Sequence, residues 1–386
     1  MTPFIAPGAT LGVMGGGQLG RMFVHAAQQM GYFVAVLDAD PASPAGLVAQ
    51  YHIQSDYLDE QGLAQLMQRS AAITTEFENV PARALVTLGA HRPVAPNAQA
   101  VAVCQDRAAE KVHFERNAVA CAPWARIETQ AQLDGVADGL LPGILKTARL
   151  GYDGKGQQRV QNRAELASAW ASLDRVPCVL EKLLPLALEL SVIVARSAAG
   201  EIVHFPVQQN LHRGGILAVT QVPAPEVSAE LQQQAIGAAR HVAESMEYVG
   251  VLCVEFFVLT DGTLIANEMA PRPHNSGHHS IDACDVSQFE LQVRAMTGAP
   301  LVAPRQHSPC VMLNLLGDLW FHGSERELTP DWHGVLALPG VHLHLYGKAS
   351  ARPGRKMGHL TVTATTAAEA RAVALQAATV LGIEAW

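Results

Sequence analysis

Two glutamates, Glu255 and Glu268, lie in the segment of this 386-residue chain with the most readable local chemistry, VLCVEFFVLTDGTLIANEMAPRPHNSGHH (residues 251–279). Two apolar runs, 251–259 and 264–269, surround Asp261-Gly262, and an Asp-Gly pair between β-formers is a hairpin signal. A two-residue turn at that pair sets Glu255 opposite Glu268, so both carboxylates share one face. Like charges directly opposed destabilise a hairpin, and burial in a strand of Val, Leu, Cys and Phe raises the cost. A cation is therefore expected between them. Magnesium fits, because it takes one or two carboxylates and completes its octahedron with water and substrate phosphate oxygens. The alternative is a structural ion pair between one glutamate and a Lys or Arg from elsewhere. Asn267, Arg272, His274, Asn275 and Ser276 follow in a loop broken by Pro271, Pro273 and Gly277. Polar groups crowding the end of a buried strand mark a site.

The rest of the chain must position that hairpin. With 49% apolar and 16% charged residues it can build two or three globular domains. The formal charge of −8 argues against nucleic acid as a partner. No stretch reads as a membrane span or an export signal, so a cytoplasmic, soluble chain is expected. The six cysteines are scattered without metal or disulfide spacing, which suits a reducing compartment. Anionic ligands must then meet locally placed cations.

In chain order, residues 9–40 read as strand, glycine turn, helix and strand. Gly15, Gly17 and Gly20 satisfy GxGxxG, Gln18 and Leu19 lie inside it, and Asp38 closes the second strand. This is the dinucleotide fingerprint in a βαβ setting, and a nicotinamide or flavin oxidoreductase is one reading. Its physical content is broader: backbone N–H groups at a helix N-terminus accept any phosphate. ITTEFENVP (73–81) reads as a strand delivering Glu76, Glu78 and Asn79 to a sheet edge, Glu76 suited to a ribose hydroxyl and the other two equally to turn and cap duty. Arg107, Lys111 and Glu115 have the spacing of a solvated helix face. Lys146 ends a short strand before the glycine-rich Gly151–Gln157, a loop able to cover phosphates or simply to close a hairpin. Glu181-Lys182-Leu183-Leu184 is a linker fit to hold an adenine edge by its backbone, and Glu189 suits ribose hydroxyls. Lys348, Arg352, Arg355 and Lys356 put four cations in nine residues, either a solvated face or an anion grip. His342 and His344 read as one face of a strand.

Taken together, the lysine strand, glycine loop, Glu-Lys-Leu-Leu linker and Glu/Asn-Glu hairpin resemble the ATP-grasp superfamily. GGGQLGRM, TEFENV, GYDGKGQ and NEMAPRPHNSGHH further resemble its N5-carboxyaminoimidazole ribonucleotide synthetase family, from about residue 12 to about residue 360. The resemblance implies an α/β (α+β) fold of three domains. These are a Rossmann-like preATP-grasp domain (1–102), an ATP-grasp domain with a lid subdomain (103–297) and a small C-terminal domain (298–386). It also implies ATP- and bicarbonate-dependent carboxylation of 5-aminoimidazole ribonucleotide through carboxyphosphate, by a homodimer.

Carried over by matching motif, ATP would meet Arg107, Lys146, Gly151, Tyr152, Asp153, Gly154, Lys155, Gly156, Gln157, Glu181, Lys182, Leu183, Leu184, Glu189, His212, Asn267 and Glu268. Glu255 and Glu268 would hold two magnesium ions, with manganese as a substitute. Arg272, His274, Asp153 and Tyr152 would serve the chemistry, Arg272 as a planar fork for bicarbonate and His274 or Asp153 as proton acceptor. The ribonucleotide would meet Gly17, Gln18, Leu19, Glu76, Asn275, Ser276, Lys348, Arg355 and Lys356. Two further readings are another ATP-grasp ligase acting through an acyl or formyl phosphate, and a non-catalytic nucleotide sensor.

Overall fold

The computed structural model describes residues 4–151, 155–321 and 326–386. Among them no helix is long and apolar enough to cross a membrane. The amino-terminal strands form a four-stranded parallel sheet in which Thr10–Met14 lies between Phe33–Leu37 and Ala72–Thr75, with Tyr51–Ile53 at the edge. Their near-continuous apolar character follows from burial on both faces. Helix Gln18–Gln29 turns Leu19, Met22, Phe23, Ala26 and Ala27 inward and packs with Phe289, Val293 and Met296 of helix Gln288–Thr297. That contact ties the first sheet to the rest. A buried amide strengthens the tie, as Gln292 accepts the Val251 N–H at 2.6 Å and donates to Thr74 Oγ1 at 3.0 Å.

A small antiparallel sheet of Trp124–Ile127, Cys178–Lys182, Gly143–Thr147 and Gln157–Val160 stands apart with its own core around Leu145, Trp170 and Leu180. Gly143–Thr147 and Gln157–Val160 pair antiparallel, and Gly151, Lys155 and Gln157, from the segment joining them, border the cleft described below. The largest sheet has nine strands. It runs from Leu264–Ala270 through Gly250–Leu259, Leu186–Arg196, Gln208–Arg213 and Ile216–Val222 into Cys310–Leu316, Lys356–Thr363 and Val341–Leu345. The carboxy-terminal strands therefore continue the central sheet through the pairing of Ile216–Val222 with Cys310–Leu316. Helix Ala367–Leu381 covers them with Ala370, Ala374, Ala377 and Leu381.

The hairpin differs from its expected form in two places that offset each other. Val258 pairs with Leu264, and Gly262 adopts φ +84°, so the turn holds three residues, 260–262, rather than two. The left-handed third residue of such a loop is where glycine is favoured. A bulge then inserts Asn267, and Glu255 returns to register opposite Glu268. Bulges re-aim side chains beside functional sites. The carbonyl freed at Asn267 accepts from Lys111 Nζ at 2.8 Å, and the N–H of Met269, two residues on, goes to Glu110 Oε1 at 2.6 Å.

This corrects the expectation for helix Arg107–Arg116. Glu115 is exposed as expected, but Glu110 and Lys111 are 2% and 1% exposed, and they clamp the bulge that sets the glutamate pair.

Candidate active site

The paired glutamates stand where two of three chambers meet, and the third adjoins through Glu78, Arg272 and His274. The first, about 520 Å³, is lined by Lys146, Gln157, Glu181–Leu184, Glu189, His212, Asn267 and both glutamates. A small central chamber of about 130 Å³ shares Arg107, His212, Glu255 and Glu268 with it, and adds Glu78, Arg272 and His274. A third, about 670 Å³, shares Glu78, Arg272, His274, Asn275 and Lys356 with the central one. Gly151 lines the central chamber, Lys155 the third and Gln157 the first. One loop thus borders all three. Tyr152, Asp153 and Gly154 lie outside the described residues.

In the first chamber Glu181 bridges two lysines, Lys146 Nζ at 2.9 Å and Lys111 Nζ at 3.5 Å. Burial pulls the Lys146 ammonium below its usual range despite that carboxylate. Burial pushes the Glu181 carboxyl up, but Lys146 and Lys111 override it and leave it low. The N–H groups of Lys182 and Leu183 are taken by the carbonyls of Pro123 and Pro142, each at 2.9 Å. Leu184 is the first linker residue whose N–H has no backbone partner among the described residues. Glu189 and His212 pair directly, and that bond holds the imidazole above its ordinary range against the opposing effect of burial. Asn267 Oδ1 is buried without a partner among the described residues.

Each glutamate already has a protein partner. Arg107 Nη1 meets Glu268 Oε2 at 2.8 Å and His274 Nε2 meets Glu255 Oε1 at 3.0 Å, so the ion-pair alternative is present in part. For Glu268, 42% exposed at its side chain, burial raises the carboxyl but Arg107, Lys146 and His274 outweigh it and hold it at about 2. Glu255 likewise stays below its usual range, burial being overridden by His274. Each of these pairs uses one oxygen of its carboxylate. Two ionised carboxylates with the orphaned amide oxygen of Asn267 form a hard, all-oxygen set, which fits magnesium. Nearby Glu110 is pushed up to about 8 by burial.

His274 is oriented from behind. Its Nδ1 meets Ser276 Oγ at 2.9 Å, and Ser276 Oγ accepts from Ser191 Oγ at 2.7 Å. Ser276, expected to touch the ribonucleotide, is wholly buried and lines none of the three chambers. It reaches them only through His274. Asn275 does line two chambers, and both ends of its amide lack partners among the described residues. Arg272 is clamped by Glu78, which makes Glu78 a site residue rather than a turn or cap.

The third chamber is lined by six cations (Lys155, Arg272, Lys348, Arg352, Arg355, Lys356) against two carboxylates, Glu76 and Glu78, and by Gln18 and Leu19. Lys348 and Arg355 are braced on their own segment, Lys348 Nζ donating to the Lys356 carbonyl at 2.6 Å and Arg355 Nη1 to that of Ser350 at 2.8 Å.

The glycine turn departs from the phosphate-binding expectation. Gly17 and Gly20 N–H groups donate to Glu76 at 3.0 and 3.1 Å, and Gly16 N–H to Asp38 at 2.7 Å. The anion at this helix N-terminus is the protein's own carboxylate. A dinucleotide pyrophosphate would find those donors taken, and Gly17 does not line the chamber. Glu76→Ala leaves two donors without partners. It should lower the unfolding free energy by roughly 1–3 kcal/mol, read as a lower urea midpoint of the ligand-free protein. An unchanged midpoint would make Glu76 a ligand contact only.

Sequence reasoning missed Glu110 and Lys111 as supports of the site, and named Arg352 only as one of the four cations of its segment. For the first two the signal was present, as polar residues three and four positions from Arg107 on one helix face.

Comparison with known proteins finds three family models matched in succession along the chain. Residues 8–105 match the ribonucleotide synthetase preATP-grasp domain, 112–289 the ATP-grasp domain, and 310–373 the phosphoribosylaminoimidazole carboxylase C-terminal domain. A Brucella melitensis N5-carboxyaminoimidazole ribonucleotide synthase is 42% identical over 92% of this chain and 97% of its own. The fold superposes on the Staphylococcus aureus N5-carboxyaminoimidazole synthetase complexed with ADP, with TM-score 0.90 and 37% identity over 98% of each chain. The Aspergillus clavatus N5-carboxyaminoimidazole synthase in complex with ADP and 5-aminoimidazole ribonucleotide gives TM-score 0.87 and 32% identity, over 97% and 98% of the two chains.

Proposed function

The chain belongs to the N5-carboxyaminoimidazole ribonucleotide synthase family of ATP-grasp ligases, and we propose that it carboxylates 5-aminoimidazole ribonucleotide with bicarbonate by way of carboxyphosphate. A bicarbonate oxygen attacks the γ-phosphorus and ADP leaves. The exocyclic amine then attacks the carboxyl carbon, the bond from that carbon to the phosphate oxygen breaks, and the amine gives up a proton as phosphate departs. The observation that carries this reading is the glutamate pair between the first large chamber and the small central one, with Arg272 and His274 joining that central chamber to the cation-lined third.

ATP takes the first chamber. Leu184 N–H meets the adenine edge, Glu189 with His212 the ribose, and Lys146 with Arg107 the phosphates. Lys155, Gly156 and Gln157 come from the loop over it, where Gly156, at φ +69°, would drive a Cβ to 2.6 Å from Thr147 Oγ1. Glu255, Glu268 and Asn267 are the residues to hold magnesium, which when bound offsets the charge of the transferring phosphoryl group. Arg272, kept planar and oriented by Glu78, presents its fork to bicarbonate in the central chamber. His274 faces the same space and is the described residue placed to take the amine proton. Because carboxyphosphate is lost to water, the central chamber has to exclude water during turnover.

The test is ADP release with and without bicarbonate and ribonucleotide. One ADP and one phosphate should form for each ribonucleotide consumed, and only with bicarbonate and magnesium present. ADP formation indifferent to bicarbonate would remove the carboxylating reading.

The ribonucleotide phosphate sits against Lys348 and Arg355 in the third chamber. Replacing either by Ala removes a charge-assisted contact worth roughly 1.5–3 kcal/mol. The Michaelis constant for the ribonucleotide should rise about tenfold to a hundredfold, while that for ATP stays nearly fixed. Equal rises in both constants, or none, would make this basic segment a solvated face.

A further inference from the structure

A second group of ligating side chains lies outside the cleft, where helix Ser280–Ala283 meets strands Val341–Leu345 and Lys356–Thr363. Asp282, His344 and His359 each bring one ligand atom, and the three atoms lie within 4.8 Å of one another. The strand register sets His344 opposite His359, with the rings stacked at 4.5 Å. Asp282 Oδ2 already meets His344 Nε2 at 2.8 Å, and His342, two positions along the same strand, has its Nδ1 3.8 Å from the other Asp282 oxygen.

His359 supplies the second, independent observation. Its residue is 0% exposed, its Nδ1 meets the Tyr346 hydroxyl at 3.0 Å, and its Nε2 is buried with no partner among the described residues. A buried nitrogen left unpaired is costly. One ring nitrogen fixed by a hydrogen bond while the other is left to ligate is how proteins prepare a histidine for a metal.

We propose that Asp282, His344 and His359 form a site for a borderline divalent transition metal, zinc in the first place. Two imidazoles and a carboxylate suit zinc and not magnesium, which prefers an all-oxygen set, and three protein ligands leave a fourth position for water. The site is a brace. Asp282 follows directly on the loop that carries Arg272 and His274, and His359 lies three residues from Lys356, which lines the central and third chambers. The metal pins the carboxy-terminal strands to that loop and so fixes the wall of the ribonucleotide chamber.

The experiment titrates zinc alone into the full chain, stripped with chelator and held in millimolar magnesium to occupy the cleft carboxylates. One zinc per chain should bind and raise the melting temperature. Cobalt in its place should give the visible absorption of a four- or five-coordinate nitrogen–oxygen site, a reading that needs no variant. Asp282→Asn and His344→Gln, both at partly exposed positions, should each weaken zinc binding more than about a hundredfold, beyond the roughly ten- to hundredfold that outer-sphere changes cost, while the metal-free protein still melts cooperatively. Wild-type protein that takes up no zinc, or either variant binding it as tightly as the parent, overturns the proposal.

Discussion

Glu268→Gln should leave the fold intact and reduce turnover by roughly two to three decades, the several kcal/mol expected when a ligand to the metal of a phosphoryl-transfer site is neutralised. The swap is nearly isosteric at a side chain 42% exposed to the cleft, so steric damage is small. The electrostatic change is large. Glu268 is held at about 2, burial being outweighed by Arg107, Lys146 and His274, and is therefore fully ionised at any working pH. An amide in its place can still accept from Arg107 but no longer carries the charge that pairs with it at 2.8 Å, and it removes one of two charges facing magnesium. Half-maximal activation should then need more magnesium, while circular dichroism and the melting temperature stay close to the parent. Turnover like the wild type's at ordinary magnesium would mean that Glu268 serves as an ion-pair partner for Arg107 and nothing more.

The second large effect is expected at Arg272. Arg272→Ala would leave Glu78 as a buried, uncompensated carboxylate, a change that by itself costs roughly 3–5 kcal/mol of stability and would blur any kinetic reading. Arg272→Lys keeps the positive charge beside Glu78 but loses the planar, two-pronged donor. The variant should fold, and kcat/KM for bicarbonate should fall by about two decades, the roughly 1.5–3 kcal/mol of a charge-assisted hydrogen bond to the transition state. The constant for ATP should hardly move, since Arg272 does not line the first chamber. A parallel loss for ATP and bicarbonate would place Arg272 in the scaffold.

The residues that were legible in the sequence were those whose partners lie close along the chain. The glutamate pairing follows from an Asp-Gly signal thirteen residues wide, although the route is a three-residue turn plus a bulge at Asn267 and not the simple turn expected. The amphipathic helix after the glycine turn was legible for the same reason, as its inward residues repeat at helical spacing. What escaped were roles set by distant partners. Lys111 reads as a surface residue until Asn267 and Glu181, each tens of residues or more away, are brought against it. The glycine turn reads as a phosphate nest until Glu76 is seen filling it. His342 and His344 were legible as one strand face, but Asp282 and His359 come to them only through the folded sheet. Continuity of the carboxy-terminal strands with the central sheet depends on a pairing between residues near 220 and 311, which no local pattern reports.

The central claim is that phosphate passes from ATP to bicarbonate before carbon reaches the amine, in the chamber between Arg107, Arg272 and His274. Bicarbonate labelled with oxygen-18 tests it most directly. If carboxyphosphate forms, one bicarbonate oxygen becomes the bridge to phosphorus and leaves with it, so each inorganic phosphate released with the ribonucleotide product should carry one labelled oxygen. Phosphate that emerges unlabelled, with the labelled carboxyl group nonetheless on the ribonucleotide, would contradict the account.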